Sequence, residues 1–178
     1  AIGGGGYLSF SVALKRDGTV YTWGDNSNGQ LGDGTTTQRA TPVQVIGLTD
    51  IVKICGGALV SHTLALKSDG SVYAWGLNSN GQLGDGTIIS KSTPVQVLGP
   101  DGIGFLTDVV DIDTGDNHCI VLTSDESVYT WGGNENGQLG DGTTGTNRLT
   151  PVKVLKGSAP GEGLYLTHGY VAKLSTVN

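Results

Sequence analysis

Ten residues, NSNGQLGDGT, occupy positions 26–35 and recur unchanged at 78–87, and a third copy, NENGQLGDGT at 134–143, departs only at Glu135. A chain that spells one loop three times is committed to building one unit three times. Trp23, Trp75 and Trp131 each precede a glycine, at intervals of 52 residues (23 to 75) and 56 residues (75 to 131). Periods of that size belong to propeller blades or solenoid units, which cannot bury a sheet face alone and stack on their neighbours.

The fullest copy is HTLALKSDGSVYAWGLNSNGQLGDGT, from His62 to Thr87; FSVALKRDGTVYTWG precedes Trp23-Gly24 in the first copy and HCIVLTSDESVYTWG leads to Trp131-Gly132 in the third. His62, Leu64 and Leu66 alternate with Ser61, Thr63 and Ala65, the period of two that marks a half-buried strand. Ser68-Asp69-Gly70 is a hairpin turn, because Asp and Gly accept the positive φ such turns require. SVYAWG, rich in β-branched and aromatic residues, reads as the second strand. The Pro-Val segments at Pro42, Pro94 and Pro151 read as a third strand, at an edge where proline need not donate. DIVKI, Asp50 to Ile54, reads as the fourth strand of unit one. In unit three, Glu126 stands where Gly18 and Gly70 stand in the other turns, which predicts a looser hairpin there. No helical periodicity of useful length appears. The chain is all-β, with units over about 2–53, 54–111 and 112–163 and an opening strand of a fourth over 164–178.

Thirty-one glycines against five prolines, with 37% hydrophobic residues, describe many tight turns on a folded framework rather than a disordered linker. Within the repeated loop only Leu31, Leu83 and Leu139 can anchor to a core. No apolar run approaches the ~18 residues of a membrane-spanning helix, so no membrane insertion is expected. A net charge of −6, with ten Lys and Arg scattered singly, excludes the basic face that nucleic acid demands. Cys55 and Cys119 have no second Cys or His at ligand spacing and read as small apolar side chains. The first residue is Ala1, and no charged leader precedes an apolar stretch. A removed signal peptide or a fragment is the expectation.

These residues carry a resemblance. HTLALKSDGSVYAWGLNSNGQLGDGT resembles the repeat of the regulator of chromosome condensation family, with its alternating strand, DG turn, W-G-x-N-x-x-G-Q-L-G signature and later Pro-x-x-Val, and the likeness runs from about Ile2 to Val154. It implies a β-propeller of four-stranded blades, seven to a ring. This chain would then hold about three blades plus one strand, a partial ring completed by oligomerisation or belonging to a longer chain. Phe10 departs from the pattern, since histidine stands at the matching positions 62 and 118. The resemblance also implies a scaffold for protein contacts; relatives include a nucleotide exchange factor for a small GTPase and a bacterial inhibitor of β-lactamases. Three near-identical units show no specialised wedge, so exchange activity is not expected.

Catalytic and metal-binding readings fare poorly. Asp25 would be the first ligand of a calcium loop, but its counterparts are Leu77 and Gly133, and no bidentate Glu follows at the required distance. Asp33, Asp85 and Asp141 persist between glycines, where an Asp caps backbone N–H groups of its own turn. His62, His118 and His168 occupy repeated strand positions, so they lie in different units, and no unit offers a paired acid. No GxSxG, HExxH, phosphate loop or Cys-His pair is present. Neither catalytic residues, a metal site nor a cofactor is expected.

The departures from the repeat point to partners. The connection IGLTD in unit one swells to LGPDGIGFLTD (98–108) in unit two and LKGSAPGEGL (155–164) in unit three, and GTTTQRATP becomes GTIISKSTP. Ile88, Ile89, Ile103 and Phe105 thereby enter polar loops, where apolar side chains either mark a protein contact or tuck beneath a neighbouring loop. After unit three, GLYLTHGYVAKLS restarts the pattern: Tyr170, Ala172 and Leu174 alternate after His168 as a strand that breaks off before any DG turn. Uncovered sheet edges pair with other chains. The function expected is a non-catalytic interaction or assembly scaffold that self-associates through its chain ends. A filament-like surface component is the alternative and a carbohydrate-active enzyme the third. An extracellular or cell-surface location is expected, with the cytoplasm as the alternative. Trp23, Trp75 and Trp131 are expected to pack between sheets with their indole N–H groups satisfied.

Overall fold

The computed structural model describes residues 2–4, 10–56 and 62–155. They form three antiparallel four-stranded sheets. Sheet one contains β1 (Ile2–Gly4), β2 (Phe10–Leu14), β3 (Val20–Gly24) and β4 (Arg39–Gln44). Sheet two contains β5 (Ile51–Gly56), β6 (His62–Lys67), β7 (Val72–Gly76) and β8 (Lys91–Gln96); sheet three contains β9 (Val109–Thr114), β10 (His118–Thr123), β11 (Val128–Gly132) and β12 (Arg148–Lys153). A 3-10 turn, Pro100–Gly102, interrupts the connection from β8 to β9. This is the all-β blade architecture.

The segment expected as the fourth strand of unit one is instead the first strand of sheet two: β5 pairs with β6, Ile54 opposite Ala65. The place at the edge of sheet one belongs to β1, with Ile2 opposite Ala13. Antiparallel pairing needs a partner reachable through a short reversal, and β5 has one in β6, whereas β4 lies on the far side of the preceding sheet. Proline sits inside β4, β8 and β12, and all three are edge strands. Each shows a register break against its neighbour, as between Ala74 and Gly76, so the missing proline N–H costs no ladder bond.

Alternation along each strand distributes side chains between two faces. In β2 Phe10 and Val12 are buried while Ser11 and Ala13 are partly exposed; in β10 the phase is opposite, with Cys119 and Val121 buried and His118, Ile120 and Leu122 partly exposed; in β6 every residue from His62 to Leu66 is buried. Sheet two is therefore covered on both faces and sheets one and three on one each. Two separate cores result. One joins Phe10 and Val12 of sheet one, with Leu31 and Val45 from the segments flanking β4, to Ile54, Ala65 and Trp75 of sheet two. The other joins Leu64 and Val72 of sheet two, with Leu83 and Val97 from the segments flanking β8, to Ile112, Cys119 and Trp131 of sheet three.

Glu126 takes φ 65, the left-handed region that Gly18 and Gly70 occupy, and closes its hairpin with an N–H bond of 3.0 Å to the Thr123 carbonyl, matching the Gly70–Lys67 bond of 3.0 Å. The turn is not looser, contrary to expectation. Asp125 accepts from Thr123 and from Ser127 N–H and Oγ–H, and this network holds Glu126 in a conformation that costs a non-glycine residue about 1–2 kcal/mol.

Candidate interaction surfaces

The repeated loop is a hydrogen-bonded body built around one buried amide. Asn78 Oδ1 accepts from Leu83 N–H (2.9 Å), while its Nδ2 donates to Asp85 Oδ1 (3.1 Å) and to the carbonyls of Thr87 (3.0 Å) and Ile89 (3.2 Å). Asn26 and Asn134 repeat the pattern with Leu31, Asp33 and Thr35 and with Leu139, Asp141 and Thr143. The carboxylate turns back on the loop: Asp141 accepts from Thr143 N–H and Oγ1 and from Arg148 Nε. Burial pushes the Asp141 carboxyl up, but these donors outweigh it and hold the pKa at about 2. Asp33 is shifted in the same direction for the same reasons. Among the described residues no group of three metal-ligating side chains forms; these carboxylates are occupied within their own loops. Leu31, Leu83 and Leu139 plug the loop into the core with no exposure.

The loop also makes the junction to the next sheet. The indole N–H of Trp75 donates to the Gln30 carbonyl (2.9 Å), and that of Trp131 to the Gln82 carbonyl (3.0 Å). Gly34 N–H donates to the Ser92 carbonyl (2.9 Å) and Gly86 N–H to the Leu149 carbonyl (3.0 Å). Glycine is required beneath the indole: a Cβ on Gly32 would lie 2.9 Å from Trp75 Nε1, and one on Gly84 2.8 Å from Trp131 Nε1. Trp75 and Trp131 are fully buried, as expected of the repeated tryptophan. Trp23 is not: it lies partly exposed on the open face of sheet one, because no sheet precedes it among the described residues.

The structure separates the apolar loop residues into two pairs. Ile88 and Ile89 sit just before β8, and Ile103 and Phe105 lie beyond its other end, where Leu98 and Phe105 form an isolated bridge. All four are exposed, Ile103 to 80%. Phe105, Leu106 and Asp108 line a cleft of about 280 Å³ with Thr123 and Tyr129 of the neighbouring sheet. The strand candidates His168, Tyr170, Ala172 and Leu174 lie outside the described residues.

One pairing could not be read from spacing. His62 of sheet two and Cys119 of sheet three meet across the junction, Nε2 to Sγ 3.5 Å, and Cys119 also donates to the Gln82 carbonyl at 3.3 Å. Burial raises the Cys119 thiol well above its usual range, so it remains a protonated thiol that packs and donates. Cys55 is only partly buried; desolvation lifts it to about 11, and its thiol donates to the Ile112 carbonyl. Both cysteines are free.

Comparison with known proteins agrees with this geometry. The model of the regulator of chromosome condensation (RCC1) repeat matches residues 17–66, 69–122 and 125–161. All three matched stretches begin in a hairpin turn, and the first two run into the following sheet, so one sequence repeat spans a junction. The human E3 ubiquitin-protein ligase HERC2 is 40% identical over 137 residues, covering 75% of this chain and 3% of that protein. The Arabidopsis thaliana ultraviolet-B receptor UVR8 is 37% identical over 134 residues, covering 74% and 29%. Yeast RCC1 (Prp20), solved bound to Kap60, superposes with a TM-score of 0.67 at 29% identity, over 83% of this chain and 34% of that one. The chain thus spans about a third or less of each of these relatives. Three loops built on one buried asparagine, two tryptophan-to-glutamine junctions and the match of the repeat model over most of its length show that the chain belongs to the regulator of chromosome condensation repeat family.

Proposed function

We propose that this chain is a non-catalytic assembly scaffold, an arc of propeller blades that binds proteins and associates with other copies of itself through its open ends. The observation that carries this reading is the asymmetry of coverage: sheet two is buried on both faces, while sheets one and three each keep one face partly exposed. A blade stabilises itself largely through its neighbours, so faces of this kind recruit another blade. The comparisons support protein binding at a coarser level, since yeast Prp20 has been solved with Kap60 and characterised for binding to Gsp1p and histones. The exposed pairs Ile88–Ile89 and Ile103–Phe105 are suited to protein partners at the loop ends, where burial of apolar area drives association.

The test is the mass of the 178-residue chain across the micromolar range, by light scattering or sedimentation. Mass that grows with concentration is the expected outcome. A monomer throughout would remove self-association from the reading.

A further inference from the structure

The two junctions between sheets share a corner and differ in its charge. Between sheets one and two, Thr49-Asp50 meets the β6–β7 hairpin: Asp50 takes φ 60, its carbonyl accepts from Ser68 N–H (2.9 Å), and its carboxylate accepts from Thr49 Oγ1 (2.8 Å). Between sheets two and three, Thr107-Asp108 repeats this on the β10–β11 hairpin, with φ 60, a 2.8 Å bond from Ser124 N–H and a 2.9 Å bond from Thr107 Oγ1. Lys67, entering the first of these hairpins, sets its ammonium 3.6 Å from Asp69, as Lys15 sets its own 3.0 Å from Asp17 in sheet one. In sheet three Thr123 stands in the lysine's place, and Asp125 accepts a hydroxyl there instead. Lys153, opposite Tyr129 in the ladder, is exposed and acts on Asp125 through space rather than through an ion pair.

The corner that lacks the lysine is also the one with a cleft. Residues 100–105 are inserted relative to unit one, and they are braced: Gly99 N–H donates to the Gly104 carbonyl (3.0 Å), Ile103 N–H to the Pro100 carbonyl (3.2 Å), and Gly102 lies beside Thr150 of β12. Pro100, Phe105 and Tyr129 give the cleft apolar walls, Asp108 and Asp125 give it a carboxylate rim, and Thr123 lies in its lining. Its volume is about 280 Å³. Small-molecule pockets usually start at roughly 300 Å³, so this cleft suits one long side chain. An exposed ion pair alone contributes little. Apolar walls change that, because the stem of a lysine or arginine packs along them while its head stays at the polar rim, and a cation is attracted to aromatic faces.

Resting on the protein-binding part of the scaffold reading, we propose that this cleft takes one arginine or lysine side chain of a partner protein, its stem along Phe105 and Tyr129 and its charge beside Asp108 and Asp125. The partner supplies from outside the cation that Lys67 supplies from within the chain at the other junction. An apolar residue next to that cation in the partner segment covers Ile103, which stands 80% exposed on the insertion. The mass measurement of self-association reads a different contact, so failure of the scaffold reading and failure of the cleft are told apart.

The test is an NMR titration of the ¹⁵N-labelled full chain with the peptide acetyl-Leu-Arg-Gly amide, and with the same peptide carrying neutral citrulline for arginine. Shifts confined to Phe105, Asp108, Ser124, Tyr129 and their neighbours are expected, with the arginine peptide bound about tenfold more tightly, the scale of one charge-assisted contact, and more weakly as salt rises. Asp108→Asn keeps a residue that tolerates the left-handed backbone and is expected to lose about the same tenfold. Thr123→Lys, which installs the lysine of sheet two, is expected to block the cleft to a similar degree. Circular dichroism checks each fold, and Asp108→Asn decides alone if Thr123→Lys does not fold. Equal binding of the two peptides, shifts elsewhere, or undiminished binding by the folded variants overturns the proposal. Without peptide, cleft signals that change with the chain's own concentration assign the site to a second copy, and signals that change on Lys156→Gln or Lys173→Gln assign it to the chain's own segment; either result overturns it too.

Discussion

Trp23 and Trp75 stand in nearly the same strand, VYTWG and VYAWG, yet the structure assigns them different energies. Trp75 is fully buried between sheets one and two, and its N–H satisfies the Gln30 carbonyl. Truncating a buried tryptophan to alanine costs about 3–5 kcal/mol, and the Gln30 carbonyl left without its donor adds about 1 kcal/mol more. Trp75→Ala is therefore expected to lose about 4–6 kcal/mol, much of the stability of a domain of this size. Trp23 is partly exposed and donates to nothing described, so Trp23→Ala leaves no closed cavity and loses about 1–2 kcal/mol. Urea denaturation followed by far-ultraviolet circular dichroism, at a concentration below any association, measures both. Because repeat arrays can unfold blade by blade, the early phase in Trp75→Ala is the quantity to compare. Equal losses for the two variants, or a loss below about 2 kcal/mol for Trp75→Ala, would refute the view that the junction rather than the strand holds the tryptophan.

Three further substitutions test local accounts. Gln82 Nε2 is buried without a hydrogen-bond partner, whereas the matching Gln30 Nε2 donates to Asp25, where sheet two has Leu77; Leu77→Asp is expected to raise stability by about 1 kcal/mol, read as a higher melting temperature, and a lower one counts against the account. Glu126→Gly relieves the left-handed strain and is expected to add about 0.5–1 kcal/mol; a thermal melt showing a loss would mean the side chain contributes more than the backbone costs. Burial lowers the His118 pKa from 6.5, against the opposing pull of Asp116 and Asp113. The unfolded chain then binds the proton more readily, so this residue's contribution is complete above 6.5 and is lost as pH falls through the lower folded value. His118→Phe, which installs the residue found at position 10, is expected to flatten the stability profile below neutrality, and an unchanged slope there would show that other groups produce it.

Much of this was legible in the residues. Periodicity of two, the DG turns and the Trp-Gly strands identify all-β units, because strand alternation and turn conformations are imposed by local sterics. The GDG aspartates could be read as caps of their own loops for the same reason: their partners lie within a few residues. Leu31, Leu83 and Leu139 stood out as the only apolar side chains in a polar loop. What the residues left open is every relation between units. DIVKI looks the same whether it closes one sheet or opens the next; a partner within hairpin reach decided for β6. Trp23 and Trp131 sit in identical pentapeptides, yet among the described residues only Trp131 has a neighbouring sheet to bury it. Cys119 and His62 are 57 positions apart and meet only because sheets two and three stack. Local sequence determined the conformation of each strand and loop, whereas burial is a property of what lies on the other side, and that was decided by the stacking of sheets.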